Sequence, residues 1–533
     1  MMRFLPVSLG AFLVELKTLE ETLDLFDALQ ATPLHGIEEM IPAANTLLIS
    51  FSPYETSADE LVGRISRLQP SHVDKQAGHL VEIPVEYNGE DLPTLAALTG
   101  LTVAEIIRRH TAPDYKVAFC GFAPGFGYLT GGDPTLRVPR RKTPRTRIPA
   151  GSVGLAGGFT GVYPQASPGG WQIIGTTPVK MWDLARPQAA FFQPGDRVRF
   201  FDLAGKKRGY FTPPGMKSAQ PVAVSRDEGF LVLAAPLPAL FQDLGRFGQT
   251  GQGVSSSGAL DRGALKAANR LVGNAESEAC LELAGGGFRF RSRGRTVVGF
   301  TGAPCGITVR SSAGQTLTPA FYRPFSLEPD DEVTLSAPTA GARSYMAVRG
   351  GFVVETPLGS AATDTLAGIG PEPVQAARWL AVKPVVKLPP VALFEEPCIK
   401  FPKSGEIVEL DIVVGPRTDW FTPESLITLC ETAWEVTSSS NRVGIRLAAD
   451  VALVRTSTAE LPSEGCVTGA LQVPPDGKPL LLLADHPLTG GYPVVGAVAA
   501  YHLDLAGQIP IGAKIRFRTL AAFSTMKPNP VAR

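Results

Sequence analysis

The sequence predicts a mainly β chain with α+β parts: two related units of the barrel or sandwich kind, preceded by a small α+β domain. Three observations predict it. From Phe119 to Asp183 glycine and proline recur so closely that no helix of ordinary length survives, while short apolar pieces such as Ser152 to Ala156 and Gln172 to Ile174 still read as strands. A repeat links the two halves: G-S-V-G-L from Gly151, G-G-W ending at Trp171 and G-D-R-V-R-F from Gly195 recur in order as G-A-L-Q-V from Gly469, G-G-Y ending at Tyr492 and G-A-K-I-R-F from Gly512. The first 78 residues instead alternate strand-like runs with helical spacing.

In chain order, Ala11 to Leu16 reads as a strand, and Leu19 to Leu29 as a helix with Leu23 and Phe26 on its apolar side. Ile41 to Phe51 is a strand region broken by Pro42, and Ala58 to Leu68 a helix that Ser57 can cap. These form the domain 1–78; His35 falls in a linking turn and reads as an exposed loop histidine. A unit over 79–203 opens with L-V-E-I-P-V-E-Y, passes through a helix from Val103 to His110 and the glycine- and proline-rich stretch, and closes on Gln193 to Phe200. Residues 204–228 are polar, basic and proline-broken, as linkers are. The second half then divides into 229–370, a proline-rich connection over 371–397, and a second repeat-bearing unit over 398–533.

A chain of 533 residues is too long for one core and implies about three or four domains. Lys+Arg and Asp+Glu both total 50, so no overall basic field is available to nucleic acid or an acidic membrane surface. No apolar run approaches the ~18 residues a spanning helix needs, and Glu15 and Lys17 interrupt the opening segment before it could form a secretory core, which points to the cytoplasm. The six cysteines are scattered without a C-x-x-C pair or nearby histidine, so buried free thiols are expected and no metal site.

Arg140, Arg141, Lys142, Arg145 and Arg147 alternate with Pro139, Pro144 and Pro149, which holds them on extended backbone rather than along a helix. Such guanidinium forks bind planar anions, or simply form a solvated strand. Arg145 with Trp171, and Tyr163 at the rim, suggest one pocket: a fork for a carboxylate and an indole for a planar face. In the second half Asp243 can orient Arg246 as readily as act as a base. Ser440, Asn441 and Arg442 make a polar patch, and Asp485 and His486, near Tyr492, pair a carboxylate with an imidazole competent for proton transfer. The ligand-binding candidates are therefore Arg140, Arg145, Tyr163, Trp171, Asn441, Arg442 and Tyr492, and the catalytic candidates Asp485 and His486. No G-x-S-x-G elbow and no G-x-x-x-x-G-K-[ST] loop occurs, which disfavours a stand-alone serine hydrolase or P-loop ATPase.

Several long blocks carry a family resemblance. G-F-A-P-G-F-G-Y-L from Gly121, P-R-R-K-T-P-R-T-R-I-P-A-G-S-V from Pro139, T-G-V-Y-P from Thr160 and S-P-G-G-W from Ser167 resemble the first allophanate-hydrolase-subunit family. That family includes the B-type component of bacterial 5-oxoprolinase, a sporulation-kinase inhibitor and the first half of the carboxyltransferase region of urea carboxylase. F-Q-D-L-G-R-F-G from Phe241, G-A-L-D-R from Gly258, A-A-N-R-L-V-G-N from Ala267, S-N-R-V-G-I-R-L from Ser440 and A-D-H-P-L-T-G-G-Y-P from Ala484 resemble the second such family, which includes the C-type component and the other half of that region. The resemblance covers nearly the whole chain and implies two cyclophilin-like β-barrels.

It also implies a fused B–C component of an ATP-dependent 5-oxoprolinase, opening 5-oxoproline to glutamate with a separate A-type subunit and inactive without it; homo-oligomerisation stays open. The alternatives it implies are a biotin-dependent carboxyltransferase component acting on urea or a related amide, and a non-catalytic inhibitor of a sensor histidine kinase. No A-M-K-M biotinyl site is present, since Met526-Lys527 precedes Pro528. No amidase-type Ser-Ser-Lys signature is evident, so the family's name is not read as chemistry.

Overall fold

The computed structural model describes residues 2–68, 78–141, 143–205, 228–385, 389–457 and 459–528. Lys142 and most of the linker 204–228 lie outside them.

The N-terminal sheet has four antiparallel strands in the order Arg3–Ser8, Ala11–Glu15, Thr46–Phe51, Ile37–Pro42. Strand side chains alternate between faces. Phe12, Val14, Leu47 and Ile49 therefore pack against Leu25, Leu29, Leu61, Val62 and Ile65 of the helices Leu19–Ala31 and Ala58–Ile65. Leu5, Val7, Leu13 and Leu48 turn the other way and meet Leu488 of the second half. With both faces covered, the central strand reads as an unbroken apolar run. Thr18 and Ser57 cap the helices, each hydroxyl accepting the N–H three residues on, at 3.2 Å. The strand Arg3–Ser8 is absent from the sequence reading because of Pro6; it lies at the sheet edge, where a missing N–H is tolerated.

Two seven-stranded barrels follow the same path. The first takes Leu80–Val85, Tyr115–Cys120, Gly127–Thr130, Ser152–Ala156, Phe159–Val162, Gln172–Thr176 and Arg197–Asp202. The second takes Ile407–Val414, Trp434–Val436, Gly444–Ala448, Ala470–Gln472, Leu480–Leu482, Val494–Val498 and Lys514–Thr519. Around each barrel the strands run first, sixth, fourth, fifth, third, second, seventh, and the seventh lies parallel to the first. The second ring is closed; the first is joined across its edges by the bridge Glu86–Thr176. This is the cyclophilin-like pair that the family resemblance implies.

Local devices repeat as well. A helix between the first and second strands, Val103–Thr111 or Pro423–Glu431, receives an aromatic hydrogen bond five residues on: Tyr115 OH donates to His110 O at 3.1 Å, and Trp434 Nε1 to Leu429 O at 2.9 Å. The turns into the seventh strands use Gly195 and Gly512 at φ +95° and +82°, which glycine adopts without a Cβ clash. Each barrel also carries a small two-stranded ladder, Arg145–Ile148 with Ser167–Gly169 or Glu464–Gly465 with Thr489–Gly490, whose strands flank the barrel's fourth and fifth strands in sequence. Trp171 and Tyr492 follow the second strands of these ladders at matching positions.

Between the barrels, a six-stranded and a five-stranded sheet share a core that includes Phe230, Phe290 and Val333 from one and Phe241, Leu281 and Met346 from the other. The helix Arg262–Val272 covers the outer face of the five-stranded sheet through Leu265, Ala268 and Val272 against Tyr345 and Ala347. The stretch 371–397, read from sequence as a connection, contributes the strand Trp379–Ala381 to the six-stranded sheet.

Candidate functional site

The expected pocket of Arg145, Tyr163 and Trp171 is replaced by a clamp. Arg145 places Nη1 and Nη2 on Asp91 at 2.9 and 2.8 Å and Nε on Glu90 at 2.7 Å, so its whole fork is engaged within the barrel. Asp91 also accepts from Arg141 Nη1 and from the Ile173 N–H, both at 2.6 Å. Burial would raise this carboxyl, but Arg145, Ile173 and Arg141 hold it below its ordinary value. Trp171 and Tyr163 are buried, packed edge-to-face on Phe126 at 5.2 and 5.3 Å. Both belong to the core.

The second barrel holds the same clamp with its charges exchanged. Asp91 N donates to Ile173 O, and Arg417 N to Val494 O; Arg145 pairs across its two-stranded ladder with Gly169, and Glu464 with Gly490. Arg417 thus stands where Asp91 stands, and Glu464 where Arg145 does. Their side chains form a buried ion pair, with Glu15 of the N-terminal domain adding a second carboxylate 2.6 Å from Arg417 Nη1. Burial pushes the Glu464 carboxyl up despite Arg417.

The glycine-rich loop 121–125 meets the second half along a seam. Phe122 N donates to Thr489 Oγ1 at 2.9 Å, Gly125 N to Gln252 O at 2.8 Å and Gln165 Nε2 to Leu366 O at 3.0 Å. A Cβ on Gly253 would lie 2.7 Å from Ala123 O, so the backbones touch there. Phe122 and Ser257 both hold positive φ, +64° and +53°, a strained state that concentrates at functional sites. Arg140, expected to bind a ligand, instead reaches across to Ser463 Oγ at 3.3 Å.

Behind the seam lies a buried charged cluster. Arg442 donates Nε and Nη2 to Asp485 at 3.0 and 2.9 Å, Nη1 to Glu282 at 2.5 Å, and Nη2 also to Gly258 O. Asp485 accepts further bonds from Ser257 Oγ at 2.7 Å and from Thr365 N and Oγ1 at 2.9 and 2.7 Å. Burial opposes its ionisation, yet Arg442 and these donors keep its pKa low, so it is a fixed anion rather than a base. His486, the other catalytic candidate, turns Nδ1 to Pro487 O at 2.9 Å, and burial keeps it neutral. Neighbours in sequence, the two side chains serve different partners. Arg442 proves to be the centre of this cluster, Asn441 an exposed turn residue whose Oδ1 accepts from Val443 N and Gly444 N, and Tyr492 a 39 % exposed ring.

Sequence reasoning passed over Asp364 and the free edge of Arg246. Asp243 does not orient Arg246; it binds Gly245 N, Ser360 Oγ and Ala361 N. Arg246, 2 % exposed, donates Nη2 to Ala362 O and leaves Nε and Nη1 without a partner among the described residues. Asp364 accepts from Ser255 Oγ at 3.3 Å, and its pKa is pushed up to about 7, first by burial and then by Asp485. One buried cluster on the seam thus offers unspent guanidinium donors and a carboxyl that titrates near neutrality. Asp364 belongs to no motif quoted above, whereas Arg246 lies in the block F-Q-D-L-G-R-F-G, whose pattern does not show which of its guanidinium nitrogens stay unpaired.

Comparison with known proteins agrees with this architecture. The family description "Carboxyltransferase domain, subdomain A and B" matches residues 252–519, and "Carboxyltransferase domain, subdomain C and D" residues 2–192. The chain is 40% identical over 169 residues to the B-type 5-oxoprolinase subunit of Escherichia coli O157:H7, covering 31% of this chain and 78% of that one. It is 32% identical over 289 residues to the C-type 5-oxoprolinase subunit of Escherichia coli strain K12, covering 54% and 89%. The crystal structure of TTHA0988 superposes with a TM-score of 0.80 at 32% identity, covering 95% of this chain and 99% of that one. The chain belongs to the carboxyltransferase-domain family, with the C–D and A–B subdomain pairs, in that order, fused in one polypeptide.

Proposed function

We propose that the chain is the fused B–C component of an ATP-dependent 5-oxoprolinase, opening 5-oxo-L-proline to L-glutamate together with a separate A-type subunit. One observation carries the reading: segments similar to the B-type and the C-type 5-oxoprolinase subunits occupy one chain and share a buried seam. On that seam the free N–H groups of Arg246 suit an oxygen of a small amide or carboxylate, Asp364 can hold or pass a proton at neutral pH, and the packed loops exclude water. A triphosphate finds no cradle at the helix Arg262–Val272, whose first N–H groups are taken, those of Arg262 and Gly263 by Asp504 at 2.9 and 3.0 Å and that of Ala264 by Asp261. ATP is accordingly required by the assembled complex in this proposal, with no site for it assigned to that helix. The family description names a carboxyltransferase domain and so supports, without specifying biotin or substrate, a second reading: a biotin-dependent carboxyltransferase component acting on urea or a related amide.

The test is to purify the chain with and without a co-expressed A-type subunit and to assay ATP-dependent conversion of 5-oxoproline beside biotin-dependent carboxylation of urea. Glutamate is expected only from the assembled enzyme. Robust turnover by the isolated chain, or urea carboxylation alone, overturns the proposal.

Asp364→Asn sharpens it. Turnover by the assembled enzyme is expected to fall about 10²–10⁴-fold, the usual worth of a positioned acid or base. A carboxyl whose folded pKa is raised binds its proton more tightly when folded, so its ionisation weakens the fold as pH rises from the ordinary carboxylate range through about 7. The variant should therefore be at least as stable as the parent at pH 8. A drop in both activity and melting temperature at that pH would make Asp364 structural.

A further inference from the structure

A cavity of about 260 Å³ lies between the N-terminal domain and the second barrel, over the charge-exchanged clamp. It falls just below the ~300 Å³ at which drug-sized pockets begin, so it suits a metabolite-sized molecule. Arg417 and Glu464 line its inner side, Thr46 opens the strand Thr46–Phe51 on one wall, and Asp419 and Trp420 come from the turn Thr418–Trp420 on the other. No described residue satisfies the Thr46 hydroxyl, although Thr46 is only 1 % exposed. A buried hydroxyl without a partner is costly enough that most such groups in native structures are paired, with protein, water or ligand.

Charge selects the ligand. Two guanidinium groups and three carboxylates line the cavity. Both guanidinium groups are already paired, Arg417 with Glu464 and Glu15, and Arg3 through Nη1 with Glu15. One negative charge is left over, and the Asp419 carboxylate has no hydrogen bond or ion pair among the described residues. An anion would meet three carboxylates and only cations already ion-paired among the described lining residues. A small cation would find a carboxylate for a charge-assisted bond, the half-buried indole of Trp420 for its face, and the Thr46 oxygen for one N–H. We propose that this cavity binds a small organic cation of the alkylammonium or guanidinium class. The site is independent of the seam and of the 5-oxoprolinase reading.

The test uses the full chain and reads binding rather than turnover. Methylguanidinium is titrated by calorimetry, with urea as the neutral isostere and acetate as the anion. Saturable one-to-one binding of methylguanidinium is expected, with urea and acetate at least about tenfold weaker. Asp419→Asn should weaken methylguanidinium binding about tenfold or more, the scale of one charge-assisted hydrogen bond, and Thr46→Val by a smaller factor. Asp419 is exposed, so its replacement leaves the melting temperature unchanged and separates loss of binding from loss of fold. Absence of saturable binding, equal binding of urea, preference for acetate, or indifference to Asp419→Asn would each overturn the proposal.

Discussion

Replacing Arg442 by leucine is expected to destabilise the second half by about 3–5 kcal/mol, the usual consequence of removing one partner from a buried ionic cluster. The size follows from what remains. Asp485 and Glu282 are buried on either side of Arg442 and lose their shared counter-charge together. The remaining hydrogen-bond donors, Ser257 and Thr365 on Asp485 and Leu260 N and Tyr345 OH on Glu282, are neutral, and the other cation near Glu282, Arg343 Nε at 3.6 Å, stands beyond hydrogen-bond reach. Arg442→Lys retains the charge but has no planar fork to span two carboxylates, and should fall between the parent and the leucine variant. Denaturant midpoints for the three proteins give the comparison; a leucine variant within about 1 kcal/mol of the parent would show that the cluster does not hold the barrel to the sandwich.

The second large effect is expected at Asp91. Asp91→Ala removes the acceptor of Arg145, Arg141 and the Ile173 N–H at one stroke, and should destabilise the first barrel by a similar ~3–5 kcal/mol. Because the folded carboxyl sits below its ordinary pKa, its stabilising contribution is fully present above the ordinary carboxylate range and is lost as pH falls through the folded value. The alanine variant should accordingly lose part of the parent's acid-unfolding limb. Arg145→Lys should cost about 1–3 kcal/mol of stability, with any activity loss in the assembled enzyme tracking the loss of fold. Activity lost at unchanged stability would instead return Arg145 to a binding role.

The barrels were legible in the sequence because their markers are local. G-G-aromatic turns precede the sixth strands, Gly195 and Gly512 precede the seventh, and Thr18 and Ser57 announce their helices by cap chemistry alone. The clamps were not legible, because their partners are far apart: Asp91 lies 54 residues before Arg145, and Glu282 160 before Arg442. Residue type misled in the same places. An arginine in a rigid frame looks alike whether its fork faces a ligand or a carboxylate of its own barrel. Adjacent Asp485 and His486 have no obligation to share a direction. Matching positions also diverged, Trp171 entering the core while Tyr492 stays at the surface.

The exchanged clamps bear on how a duplicated chain avoids confusing its own copies. While the chain is unfolded, the strand bearing Arg145 or the one bearing Glu464 can collide with either nascent barrel, and repeated units are prone to such cross-assembly. Seated in the wrong barrel, the first strand would bring Arg145 against Arg417, and the second would bring Glu464 against Asp91. Each wrong docking buries two like charges in place of an ion pair, a mismatch of several kcal/mol. Reversed polarity therefore acts as an address: each barrel accepts its own clamp strand and rejects the other copy's.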